Sequence, residues 1–400
     1  MANFDPAAAT QAYLSILTPD QHAKAVAYTQ GGHWLLLWSA LVSIIASVLV
    51  LRSGVLPRLR NWVEAGRPKP VRVILLIVLV DAIIESVMAL PWDIYAHWWR
   101  EKSYGLTSQA FGSWMGEWAL SNALSLLVTP LLILGLYALI RRTKSTWWLW
   151  GSLMSAAFLV FVMVISPVVV EPLFSKYTPA PPGPVRDAVA EMARANGVRS
   201  DKIFIYNGSK QSNRYTANVS GLFGSARVAM SDVMFKKDAD LAEVKGVVGH
   251  EMGHYAHHHV LWFSAAYVLI ALVGFFAVDR LFPQVLKWTG AKGVEGIADP
   301  AGFPVFGIIL TCLALVSTPI RTTMIRLGES DADRFSLERV NEPDGLSKAL
   351  AKTIEYRAAS PSRLEEALFY DHPAVSRRIR RAMDWKAAHG ANLPTEPPRP

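Results

Sequence analysis

Five consecutive residues, His250-Glu251-Met252-Gly253-His254, form an HExxH pattern that can hold a metal and a base together. Residues four apart share one helix face, so the two imidazoles can converge on a single zinc ion. Glu251 then stands beside the open coordination position, where it can take a proton from a water molecule. Catalytic zinc sites commonly use three protein ligands. The best-placed third is Glu329, in the acidic segment Arg326–Asp333. Asp333, four residues further on, falls on the same helical face and suits a hydrogen bond to a ligand histidine. The expected cofactor is one Zn2+ per chain. His257, His258 and His259 continue the helical pattern, but a third turn rises too far to share the ion. These three read as structural or interfacial.

The elements that must position these residues are mostly membrane helices. Of 400 residues, 52% are hydrophobic and 18% charged, which excludes a disordered or fibrous chain and sits badly with an ordinary soluble enzyme. The apolar residues gather at Trp34–Leu51, Val71–Leu90, Ala119–Ile140, Trp147–Val170, Val260–Val278 and Phe303–Ile320. Each run is about long enough to cross a hydrocarbon core, giving about six spans grouped four and two. The last two form a hairpin, which returns Glu329 to the membrane side of His250. Cys312 is the one cysteine, so no disulfide framework exists. The net charge of +8 is spread over loops and tail without an aromatic interleave, so nucleic acid is not an expected partner. Met1–Thr10 lacks the pattern of a secretory signal.

Between the fourth and fifth spans lies a polar stretch, Glu171–His259. Its pattern predicts a helix over Val185–Ala195, strands at Lys202–Tyr206 and Ala226–Met230, and one helix from Asp240 running straight into the fifth span. The chain divides into a polar segment (1–32), a four-span region (33–170), a polar domain carrying HExxH (171–259), a two-span hairpin (260–320), a C-terminal part with Glu329 (321–390) and a disordered tail (391–400). The loop after the first span carries Arg52, Arg58, Arg60, Arg67, Lys69 and Arg72. By the positive-inside rule that loop faces the cytoplasm, which sets the polar domain opposite.

GHEMGHY at Gly249–Tyr255, with Arg326, Glu329, Ala332 and Asp333 behind a two-span hairpin, resembles the type 1 CAAX prenyl protease family of integral-membrane zinc endopeptidases. Pro167–Pro179 (PVVVEPLFSKYTP), Leu90–Phe111 with LPWDIY and YGLTSQAF, and His372-Pro373 with Arg378 resemble further family elements. The resemblance runs from Trp34 to Arg381. It implies His250, His254 and Glu329 as zinc ligands, Glu251 as general base and Asp333 as an assisting group. It implies that His372, with Arg378, contacts the substrate or its oxyanion. Two departures stand out. The family has seven spans where six are read here. Its substrate-pairing asparagine, in an Asn-Ala-aromatic stretch before a glycine, falls on Thr216 when YTANVSG is aligned on Gly221, with Asn218 as the alternative.

The expected fold is therefore a mainly α-helical multi-span membrane protein, with a zincin-like α+β metallopeptidase domain between spans 4 and 5 completed by the C-terminal helices. The expected function is membrane-embedded, zinc-dependent endopeptidase activity, with substrate held by strand addition beside Ala226–Met230. Expected partners are the lipid bilayer and a peptide or membrane-protein substrate, prenylated C-terminal peptides among them. The expected location is the bacterial inner (cell) membrane. The rival readings are quality-control cleavage of damaged membrane proteins and, in a different class, a metal transporter or channel using Asp81, Glu85 and His257–His259 as an ion path.

Overall fold

The computed structural model describes residues 4–199, 201–221 and 226–390; the expected disordered tail at 391–400 lies outside them. Its N-terminal part is helical: α1 (Pro6–Leu14), α2 (Pro19–Ser53), α3 (Val55–Glu64), α4 (Pro70–Asp93), α5 (Arg100–Tyr104), α6 (Phe111–Thr143), α7 (Trp147–Ile165) and α8 (Glu171–Phe174). Thr18 opens α2 with a reciprocal cap. Its hydroxyl accepts from the Gln21 N–H, and the Gln21 side chain accepts from the Thr18 N–H. Gly54, left-handed at φ 67°, stops the helix.

Among the described residues, four helical stretches are long and apolar enough to cross a membrane: Pro19–Ser53, Pro70–Tyr104, Phe111–Phe174 and His259–Thr289. A helix pair, Pro300–Val316 and Thr318–Val340, reaches the same length and apolarity only when taken together and is bent by 53°. The stretch Phe111–Phe174, 64 residues long, reverses at Lys144, whose φ is 47°. Beyond that turn Gly135 meets Met154, and Gly151 meets Leu136. The stretch therefore folds back on itself as two antiparallel helices, α6 and α7. Buried Ile74, Val78, Leu136, Tyr137, Phe282 and Phe306 form the core between these helices. Leu127, Leu131, Phe161, Leu269 and Val273 face outward, as lipid-facing residues do. Asp81 and Glu85 on α4 point inward: Asp81 is buried, and Glu85 accepts from Ser47 on α2. Both obey the rule that intramembrane carboxylates avoid lipid.

The polar stretch holds β1 (Tyr177–Pro179), α9 (Pro184–Ala195), β2 (Ile203–Tyr206), β3 (Ala217–Ser220) and β4 (Arg227–Ser231). The strands pair in the order β1-β2-β4-β3, with β2–β4 parallel and the other two pairs antiparallel. Val228, Ala229 and Met230 are all buried, as befits a central strand. This corrects the expected substrate edge. β4 is flanked on both sides, so nothing can add beside Ala226–Met230, and the free edge nearest the HExxH helix is β3.

The remaining helices are α10 (Leu241–Ala256), α11 (His259–Thr289), α12 (Phe303–Val316), α13 (Thr318–Val340), α14 (Pro343–Lys352), α15 (Arg363–Phe369) and α16 (Val375–His389). A second correction concerns α10 and α11, expected as one continuous helix. The chain breaks at His258, which adopts a left-handed conformation with φ 52°. α1 packs onto this C-terminal part: Tyr13 is buried among Leu346, Ile379 and Met383, and its hydroxyl donates to Asp344.

Candidate metal centre

Three glycines on α10 bring the HExxH helix against its partners. A Cβ on Gly246 would lie 2.7 Å from the Leu346 nitrogen of α14, and one on Gly253 would lie 2.9 Å from the Ala332 Cα of α13. Gly249, between them, faces Ser336 and Val340. The Ser336 hydroxyl donates to the Gly246 carbonyl, tying α13 to α10. Backbone-to-backbone approach of this kind needs residues without side chains. It sets Glu329 and Asp333 opposite the two histidines.

His250 Nε2 and His254 Nε2 are 3.1 Å apart. Glu329 Oε2 lies 3.1 Å from His250 Nε2, and Glu329 Oε1 lies 3.3 Å from His254 Nε2. Metal–ligand bonds of about 2.0–2.2 Å at tetrahedral angles place neighbouring donors about 3.3–3.6 Å apart, so these spacings, taken through the two oxygens of Glu329, are close to those of donors sharing one ion. Glu329 Oε2 is buried without a hydrogen-bond partner, although nitrogens stand near it. A buried carboxylate oxygen left without a donor has capacity to bind an ion. The donor set of two imidazoles and a carboxylate fits a divalent transition metal. Electrostatics agree. Burial works against charge on His250, yet the Glu329 and Asp333 carboxylates outweigh it and push its pKa up to about 10. The pocket favours a cation.

Behind the trio lies a charged clamp. His250 Nδ1 donates to Asp333 Oδ1 at 2.9 Å, which leaves Nε2 its lone pair. Arg378 grips the same carboxylate with two bonds of 2.7 Å each. The guanidinium expected at the substrate thus has Asp333 as its main partner, although it also lines the cavity. His254 has a support of its own that the sequence did not disclose. Its Nδ1 lies 2.8 Å from His259 Nδ1, and His259 Nε2 lies 3.1 Å from Asp331 Oδ2. The signal that could have found it is a third histidine five residues beyond His254, paired with an acid two beyond Glu329.

A cavity of about 670 Å³ opens over the centre, lined in part by Tyr215, His250, Glu251, Glu329, His372 and Arg378. Burial raises the Glu251 carboxyl above its ordinary range, the direction that readies a carboxylate for proton transfer. His372 Nδ1 bonds Asp371 at 2.7 Å, while its Nε2 stands 3.1 Å from Glu329 Oε2. Burial lowers the His372 pKa despite the nearby Asp371. Arg326 fixes the approach to His372 by donating to the backbone carbonyls of Glu366 and Tyr370. Thr216 and Asn218 stand apart from this cavity wall. Thr216 Oγ1 bonds the Tyr206 hydroxyl, and Asn218 Oδ1, on β3, is buried without a partner. Of the ion-path residues, Asp81 and Glu85 sit within α4, and His257–His259 lie at the α10–α11 break.

Fold and site together define a multi-pass membrane metallopeptidase that acts on peptide substrates. The model of the CAAX prenyl protease N-terminal region, with five membrane helices, matches residues 6–176, and that of peptidase family M48 matches residues 179–386. The chain belongs to peptidase family M48. An uncharacterized metalloprotease of Bacillus subtilis is 27% identical over 92% of this chain and 87% of its own length. CAAX prenyl protease 1 of Saccharomyces cerevisiae is 25% identical over 74% of this chain and 69% of its own. The crystal structure of S. mikatae Ste24p shares the fold, with a TM-score of 0.77 at 19% identity over 92% of this chain and 90% of that one. Residues 6–176 hold four long crossings here rather than five. α1, with nine residues, spans only about 14 Å and cannot cross a core of about 30 Å.

Proposed function

We propose that this chain is a zinc endopeptidase of a bacterial inner membrane that cleaves C-terminal peptides from prenylated proteins. The observation that carries the reading is the 3.1–3.3 Å triangle of His250, His254 and Glu329 in the wall of the cavity that Glu251 also lines. The prenylated substrate is supported by the relatives named CAAX prenyl protease 1, and the bacterial membrane by the relative from Bacillus subtilis. Arg214 and Lys352 in the cavity wall suit the carboxylate of a peptide C-terminus. We take 33–170 and 260–320 as the membrane part, with 171–259 and 321–390 as the two halves of the peptidase.

His250, His254 and Glu329 would hold the zinc. Bound there, it would polarise the scissile carbonyl and acidify a water. Glu251 takes the proton from the attacking water and returns it to the leaving amine. Asp333, anchored by Arg378, keeps the proton of His250 on Nδ1. His372 acts as the imidazolium: Nδ1–H stays on Asp371 and Nε2–H is offered to the developing oxyanion, a role often worth roughly 3 kcal/mol. The substrate lies extended along β3. The Ser231 N–H donates to the Thr216 carbonyl, so by the alternation of an antiparallel ladder the backbone groups of Ala217 and Val219 face the free edge. Of the two candidates for side-chain pairing, Asn218 has the spare hydrogen-bonding capacity.

Purified Glu251→Gln protein tests the chemistry: it should retain its metal and lose cleavage. Retained cleavage would end the proposal. A prenylated peptide should outcompete its unprenylated twin, whereas preference for an unfolded membrane protein would favour the quality-control reading.

A further inference from the structure

We propose that His257, His259 and Asp331 form a second divalent-metal site whose occupation opposes the His250–His254–Glu329 centre and inhibits the peptidase, an inference that rests on the zinc reading above. On an unbroken helix, residues two apart point to nearly opposite sides. His258 prevents that here. Its left-handed backbone, with φ 52° and ψ 36°, separates α10 from α11 and turns the rings of His257 and His259 toward the same carboxylate. This conformation is one that residues other than glycine avoid, so the convergence is built into the chain rather than an accident of a flexible surface.

The donor atoms fit a metal. One atom each from His257, His259 and Asp331 lie within 4.8 Å of one another. Asp331 Oδ2 meets both rings, bonding His257 Nδ1 and lying 3.1 Å from His259 Nε2. Its other oxygen, Oδ1, accepts from Arg334 at 2.6 Å. Two imidazoles and a carboxylate are again a transition-metal donor set. One ring, His257, is exposed while His259 is buried, so water competes for this set more than for the first. The second site therefore fills later and more weakly.

Coupling follows from where the protons sit. With His254 Nε2 directed at the first centre, its Nδ1 carries hydrogen and donates to His259 Nδ1 across 2.8 Å. His259 then holds its own proton on Nε2, facing Asp331. An ion bound at His259 Nε2 displaces that proton, and a neutral imidazole with a metal on Nε2 carries hydrogen on Nδ1. Two N–H groups would then face each other between His254 and His259. One ring must turn. If His254 turns, the first centre loses a ligand's aim; if His259 turns, His254 loses its support.

The test uses the full chain in lipid nanodiscs, stripped with a chelator and titrated with Zn2+ while bound metal and peptide cleavage are measured together. The expected result is a first equivalent that restores cleavage and a weaker second equivalent that abolishes most of it. His257→Ala, at an exposed position, should keep full cleavage at one equivalent, lose the second and raise the inhibiting concentration by about tenfold or more. Asp331→Asn should also lose the second equivalent. A wild-type protein that binds one equivalent only, or a His257→Ala protein inhibited at the wild-type concentration, overturns the proposal. So does a second equivalent that leaves cleavage unchanged. Failure to bind even the first equivalent would count against the zinc reading instead.

Discussion

Gly253 on α10 and Ala332 on α13 approach so closely that a Cβ on Gly253 would stand 2.9 Å from the Ala332 Cα. That contact sets the distance between the HExxH helix and the helix carrying Glu329. Gly253→Ala should push the two helices apart, at about 1–3 kcal/mol of overpacking. The expected outcome is lower metal occupancy after gel filtration, with little change in the helical signal. Full occupancy would show that the glycine has no such role.

Removing the carboxylate of Asp333 should act in two separable ways. Asp333→Asn leaves Arg378 buried with only the more distant Glu329 carboxylate, 3.7 Å away, a loss of up to about 3–5 kcal/mol. It also frees His250 to turn, which weakens metal binding about 10–100-fold. Combining it with Arg378→Met should recover part of the thermal stability and none of the metal affinity. Denaturation midpoints and chelator competition measure the two.

His372 sits at the cavity rather than in the donor triangle. His372→Ala is therefore expected to lower kcat about 10²–10³-fold while metal content and KM stay close to wild type. A fall in metal content would make it a ligand instead.

The proposed edge at β3 can be tested through the backbone alone. Val219→Pro deletes an N–H that faces away from β4 and leaves the ladder to β4 intact. Cleavage of extended peptides should fall about tenfold in kcat/KM, consistent with one lost backbone hydrogen bond to the substrate. Unchanged kinetics with an unchanged fold would move the substrate elsewhere.

Much of this was legible before any coordinates. HExxH spacing and the hairpin of the last two spans made Glu329 the best-placed third residue beside His250 and His254, because helix periodicity and span length are strong signals. The reversal at Lys144 was legible too, since Arg141, Arg142 and Lys144 interrupt two apolar runs. The break at His258 was not. No glycine or proline marks it, and three histidines are compatible with a helix, so only packing against α13 decides the matter. β3 was missed because four half-buried residues with a central asparagine carry little strand pattern. That omission led to the wrong sheet edge. Arg378 was expected at the substrate from the family resemblance, and nothing in that motif discloses that its fork also closes on Asp333.

X-ray absorption at the zinc edge, on purified protein and on Glu329→Gln, would test the metal centre most directly. The account predicts two imidazole nitrogens and light oxygen donors at about 2.0–2.2 Å in the native protein, and loss of most bound zinc in the variant. A native spectrum without two imidazoles, or a variant that holds zinc as tightly as the native chain, would contradict it.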